Sequence, residues 1–88
     1  MEHERIIHIL EYLRRNTDET RTVSIKQIQS HLDRNYNMQS VSPLTIRRDI
    51  ERLTTIGYPI TIKRGAHNTY LYQMETDGFT FNEIRFLV

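Results

Sequence analysis

Residues 42–57, Ser42-Pro-Leu-Thr-Ile-Arg-Arg-Asp-Ile-Glu-Arg-Leu-Thr-Thr-Ile-Gly57, carry a full set of helix signals, and the rest of the chain is read outward from them. Ser42 suits an N-cap, Pro43 falls at the first helical position where its missing N–H costs nothing, and Gly57 supplies a left-handed stop. At about 100° per residue Ile46, Ile50 and Leu53 share one face, Leu44, Arg48, Glu51 and Thr55 lie opposite, and Arg47 and Arg52 stand on the flanks. The pattern predicts one face for a core and another for a partner. Arginine offers a rigid fork of donors that grips phosphate oxygens, or the O6/N7 edge of guanine, bidentately. Arg47 and Arg48, near a helix start, therefore suit a DNA major groove. The same residues also fit a solvated face on which Asp49 and Glu51 pair with arginines along the helix, for about 0.2–0.5 kcal/mol each.

Downstream, Pro59 stops the helix, and Ile60-Thr-Ile-Lys-Arg64 alternates with β-branched residues. Gly65-Ala-His-Asn68 reads as a loop and Thr69-Tyr-Leu-Tyr-Gln73 as a second β-prone run, so the pair predicts a hairpin that must pack on the helices to be stable. Whether Leu71 or Tyr70 and Tyr72 face the core depends on a register the sequence leaves open. Tyr70 and Tyr72 are read as core or interface in preference to a stacking platform for single-stranded bases. His67 and Asn68 fit either plain turn residues or a hairpin tip that reaches a duplex.

Upstream, Ile6, Ile9, Leu10 and Leu13 follow i, i+3, i+4, i+7, with Glu2 and Glu4 before them and Arg14 and Arg15 after, which predicts a first helix. Residues 16–22 are polar and aperiodic, a connection. Ser24 and Gln27 form a capping box opening a second helix, with Ile25, Ile28 and Leu32 as its stripe, to about Tyr36; a turn-rich connection over 35–40 follows. Hydrophobic staples pair Val23 with Ile28, Val41 with Ile46 and Phe79 with Ile84. Thr80 and Glu83 form another capping box, opening a helix whose apolar Ile84, Leu87 and Val88 are cut off at the end of the chain.

The chain has 88 residues, 38% of them hydrophobic, which allows one domain with a modest core. Without cysteine there is neither a disulfide framework nor a thiolate metal site. His3 and His8 are five apart rather than the four that would align them on a helix face, and His31 and His67 are isolated, so no metal and no cofactor is expected. No nucleophile–histidine–carboxylate signature and no glycine-rich phosphate loop is present, which argues against an enzyme. No apolar run approaches a membrane span, and the acidic start is unlike a secretory signal, so the expected location is the cytoplasm. Net charge is only +1, but residues 42–65 hold five Lys/Arg against two Asp/Glu, while residues 1–41 are balanced. A localised positive excess is the footprint of a nucleic-acid surface.

Three helices followed by a hairpin is the order of a winged helix-turn-helix, mainly α with a small β-hairpin. Ser24-Ile-Lys-Gln-Ile28, Thr45-Ile-Arg-Arg-Asp-Ile-Glu-Arg-Leu53, Gly57-Tyr-Pro-Ile60, Tyr70-Leu71 and Phe79-Thr-Phe-Asn-Glu-Ile-Arg85 together give a closer likeness. On these residues the chain resembles the N-terminal DNA-binding domain of bacterial transcription regulators of the WYL-domain family, which is similar to that of the DeoR family. The resemblance implies that Thr45, Arg47 and Arg48 meet DNA and that Lys63 and Arg64 support the wing. Positions 43 and 44, often polar or basic in such regulators, are Pro43 and Leu44; Leu44 suits a thymine methyl. Ser42, Arg52 and His67 complete the expected DNA-facing set. Residues 1–76 are then expected to be the DNA-binding domain and 77–88 the start of a link to an effector domain that is not part of the chain; the chain is either an isolated module or a fragment, and the interrupted terminal helix favours a fragment.

The expected function is sequence-specific double-stranded DNA binding, with helix 42–57 in the major groove and the wing, 60–73, on the backbone. No small-molecule ligand is expected for the fragment. The chain is expected to be mainly monomeric and weakly binding in dilute solution, with any self-association through residues 79–88 and stable dimerisation supplied by the absent effector domain. The competing reading is a winged helix that binds protein, with a solvated arginine face and Ile84, Phe86 and Leu87 as its adhesive surface.

Overall fold

The computed structural model describes residues 2–75. Three helices, α1 (Glu2–Asn16), α2 (Ile25–Tyr36) and α3 (Pro43–Ile56), pack with a small antiparallel sheet of β1 (Val23–Ser24), β2 (Ile60–Arg64) and β3 (Tyr70–Met74). The staple, capping box and helix expected over residues 79–88 lie outside the described residues, as does the adhesive surface placed there.

Local chemistry accounts for the helix boundaries. At α2 the Ser24 hydroxyl accepts from the Gln27 N–H while the Gln27 carboxamide oxygen accepts from the Ser24 N–H, so both halves of the box are made. The helix runs to Tyr36, as the sequence reading expects, and ends when Asn37 takes a left-handed conformation (φ 57°). At α3 the Ser42 hydroxyl accepts from Thr45 N–H, with Pro43 opening the helix. Its C-terminus closes with paired hydrogen bonds from Tyr58 N–H to Leu53 and from Gly57 N–H to Thr54, the Schellman arrangement. Gly57 adopts φ 130° and ψ 3°, outside the ordinary left-handed well and strained for any side chain.

Each helix contributes its expected stripe to one core: Ile9 and Leu13, Ile28 and Leu32, and Ile46, Ile50 and Leu53 are buried together with Val23, Tyr72 and Met74. Val23 and Ile28 both enter it, as a staple requires. The open question of hairpin register resolves with Tyr72 and Met74 inward and Tyr70 packed at the margin, whereas Leu71 falls on the opposite face.

The expected two-stranded hairpin is instead part of a three-stranded sheet in the order β1-β3-β2, because Val23 and Ser24 pair with Tyr72 and Leu71. Two residues are too few to show a period-2 pattern, so β1 left no trace in the sequence. The connection before it is also more ordered than its polarity implied. Buried Thr17 accepts from Met74 N–H and donates to Leu13 carbonyl, fastening the end of α1 to β3. Asp18 caps its own turn, accepting from the Thr20 and Arg21 N–H groups; the bonds from Thr20, helped by Arg21, hold its carboxyl down at about 2. Buried Gln73 donates to Asp18 carbonyl from β3.

Candidate nucleic-acid interface

The position of α3 is fixed at both ends. Gln29 of α2 donates to the Val41 carbonyl at 2.8 Å, which pins the loop that delivers Ser42. Arg5 of α1 reaches across to Asp49 with two donors, Nε to Oδ2 and Nη2 to Oδ1. Asp49 is 1% exposed and sits among Ile46, Ile50 and Leu53 on the inward face of α3. The solvated-face alternative pairs Asp49 with arginines along its own helix; for Asp49 that alternative does not hold, because its partner is Arg5 of α1. On the helical wheel Asp49 lies about 40° beyond Leu53, so the signal was an acidic residue at the edge of the apolar stripe, which demands a partner once it is buried.

With Asp49 taken by Arg5, the outward face keeps its positive character. Arg47, Arg48, Lys63 and Arg64 are exposed, and among the described residues no carboxylate lies within ion-pair distance of any of them. Other ion pairs link Glu11 to both Arg14 and Arg15, and Asp18 to Arg21.

The sequence-predicted residues of α3 and its N-cap fall into three groups. Leu44, Arg48 and Arg52 are exposed on the outward side of α3, and Arg48 and Arg52 share a shallow surface with Glu51, Thr55 and Ile56. Ser42 and Thr45 are committed to each other: their hydroxyls lie 3.0 Å apart, and Ser42 also holds the Thr45 N–H. Thr45 is half-buried and turned toward Arg5 and the loop before α3. Arg47 stands on the hairpin side of the helix, where it lines an open groove of about 420 Å³ with Ile50, Glu51, Thr54, Thr55, Ile62, Tyr70 and Tyr72.

The hairpin separates two residues that the resemblance treated together. Ile60, Ile62 and Arg64 stand opposite Met74, Tyr72 and Tyr70, on the face toward the core and α3. Thr61 and Lys63 stand opposite Gln73 and Leu71, on the other face. Lys63 and Arg64 therefore project to opposite sides of the sheet rather than forming one basic patch. The tip is a short 3-10 turn over Ala66–Asn68, closed by Gly65 N–H to Thr69 carbonyl and Thr69 N–H to Ala66 carbonyl. His67 is exposed there with φ 56° and ψ 39°, a conformation histidine tolerates better than most side chains.

Tyr70 was missing from the expected interface, and it joins the helix to the hairpin. The guanidinium carbon of Arg47 lies 5.3 Å from its ring centroid and that of Arg64 5.6 Å, while Arg64 Nη2 donates to its hydroxyl at 3.3 Å. That hydrogen bond, reinforced by the charges of Arg64 and Arg47, holds the Tyr70 phenol below its ordinary range. Two residues on, burial pushes the Tyr72 phenol up, against the pull of Arg47 beside it. The available signal was the spacing of Arg64 and Tyr70 around a five-residue loop, which places them opposite each other in a hairpin.

No helix among the described residues is long and apolar enough to cross a membrane. No family model, curated protein or solved structure matches the chain.

Proposed function

We propose that the three helices and the hairpin form a winged helix-turn-helix whose outward α3 face binds double-stranded DNA sequence-specifically, as the DNA-reading domain of a transcription regulator. The observation that carries this reading is the group of exposed cations on α3 and the hairpin, Arg47, Arg48, Lys63 and Arg64, none with a carboxylate at ion-pair distance among the described residues. Exposed cations on a helix and a strand pair attract phosphates, and an exposed helix face of suitable width enters a major groove. Leu44, 52% exposed, suits a thymine methyl, and Arg48 suits a guanine edge. The likeness of Thr45-Ile-Arg-Arg-Asp49 and Gly57-Tyr-Pro-Ile60 to the WYL-domain regulators agrees with this reading.

A protein-binding module is the second reading, favoured by Leu44, Ile56 and Ile62, which are 52%, 72% and 52% exposed around α3 and the hairpin. Titration of a mixed-sequence duplex at low ionic strength separates the two. The DNA reading expects a complex that weakens steeply as salt is added. Absence of any complex at low salt leaves the protein-binding reading in its place.

A further inference from the structure

Arg47 and Arg48 are neighbours in sequence but point about 100° apart on α3, and their surroundings differ accordingly. Arg48 lies on the outward surface beside Glu51, Arg52, Thr55 and Ile56. Arg47 is drawn to the hairpin side, over the ring of Tyr70 and near the Tyr72 hydroxyl. A guanidinium over a ring face is attracted by the ring's quadrupole, which restricts its orientations without neutralising it. Arg64 is held at the same ring by the same attraction and by its bond to the Tyr70 hydroxyl.

Two like charges from different elements are thus brought to one small aromatic. They repel each other, and the tyrosine hydroxyl cannot cancel either charge. A group bearing one negative charge and several acceptor oxygens relieves the repulsion and uses the free donors of both forks. Glu51 lines the groove with Arg47 and Tyr70, whereas Arg64 reaches the Tyr70 ring from outside it, so an anion shared by the two arginines sits at that ring rather than beside the Glu51 carboxylate.

Resting on the DNA-binding reading above, we propose that Arg47 and Arg64, oriented by Tyr70, form a clamp for a single phosphodiester at the junction of α3 and the hairpin, and that Arg48 is the base-reading arginine. Tyr70 is a positioning residue. Its ring sets where the two guanidinium groups sit, and the phosphate contact fixes how deep α3 enters the groove. Arg47 then contributes to affinity on every sequence, and Arg48 to the choice among sequences.

The test uses the 88-residue chain and a duplex recovered by selection from a random library with the wild-type protein. Affinity is measured against salt concentration for Arg47→Ala, Arg64→Ala, the double variant and Arg48→Ala, and the selection is repeated with each. A shared phosphate predicts that the Arg47→Ala/Arg64→Ala double variant loses about one from the slope of log affinity against log salt, with an unchanged base preference. Arg48→Ala should relax the preference at one base pair, with discrimination there falling about tenfold. Tyr70→Phe keeps the ring and should behave nearly as wild type, whereas Tyr70→Leu should weaken all sequences alike, and adding Arg47→Ala to it should change little. A slope loss of about two in the arginine double variant means separate phosphates and overturns the clamp. A base preference altered by Arg47→Ala overturns the assignment of roles while leaving DNA binding standing. No complex with the wild-type chain removes both together. Should Tyr70→Leu fail to fold, the arginine pair alone still decides the question.

Discussion

At the scale of single residues, Asp49 is where stability and surface charge meet. Its carboxylate is buried and, among the described residues, is answered by the Arg5 fork, whose own side chain is 16% exposed. Breaking a buried pair by removing one partner leaves an uncompensated charge, which generally costs more than the pair contributes relative to apolar side chains. Arg5→Met, which leaves the buried Asp49 carboxylate without its fork, should therefore cost about 3 kcal/mol, read as a lower urea midpoint with an unchanged slope. The double substitution Arg5→Met with Asp49→Leu should return to within about 1 kcal/mol of wild type, because similar volume is then buried without desolvated charge. A single variant as stable as wild type would mean that water or another group answers the Asp49 carboxylate. The same residue shows why part of the interface was hidden in the sequence. Charge pairs at helical spacing are visible along a chain, whereas the Arg5–Asp49 pair spans 44 positions and exists only once α1 packs on α3. Tyr70 was missed for a related reason: its two cations come from α3 and β2, and only folding brings them to one ring.

Elements were more legible than contacts, because their signals are local. Ser24 with Gln27, Ser42 with Pro43, and Gly57 each act within a turn of where they stand, so α2 and α3 begin and end where the sequence reading placed them. The short β1 strand and the turn at Thr17 and Asp18 were not legible, since both depend on β3 arriving from more than forty residues away. The packing of α1 on α2 carries its own pH dependence. His8 stacks on Tyr36 with centroids 3.5 Å apart, and His31 lies 4.4 Å from the Tyr12 ring and 5.6 Å from that of Tyr36. Burial, and then the charges of His8, Arg34 and Arg15, lower the His31 imidazole from its ordinary value. A folded value below the unfolded one means that folding favours the neutral ring. The contribution is fully present above the ordinary histidine value of about 6.5 and is lost as pH falls through the depressed folded value. The urea midpoint of the wild-type chain should drop between pH 7.5 and pH 5.5, and that of His31→Gln should drop less. Identical drops in the two proteins would assign the effect to other groups.

For the whole molecule, net charge and surface charge give different expectations, and the difference is measurable. A net charge of +1 provides little long-range attraction to a polyanion. Binding must then come from cations in direct contact, and its salt dependence counts them. Arg47 and Arg64 converge on one ring, Lys63 projects from the other face of the hairpin, and Arg48 and Arg52 lie on the outward surface of α3. On the proposed DNA-binding reading this arrangement would supply about two to four phosphate contacts, each lowering log affinity by about 0.9 per tenfold rise in salt. Raising salt from about 50 to about 200 mM should thus weaken the complex roughly ten- to a hundredfold, less than for a large dimeric repressor. A module with so few contacts is expected to bind weakly alone and to gain selectivity only when two copies engage adjacent half-sites. Fluorescence anisotropy with one duplex across that salt range measures the slope, and repeating it with a duplex carrying two spaced half-sites measures the gain. A slope near zero would place the binding energy in the apolar surface of Leu44, Ile56 and Ile62, and the outward face of α3 would then belong to a protein partner.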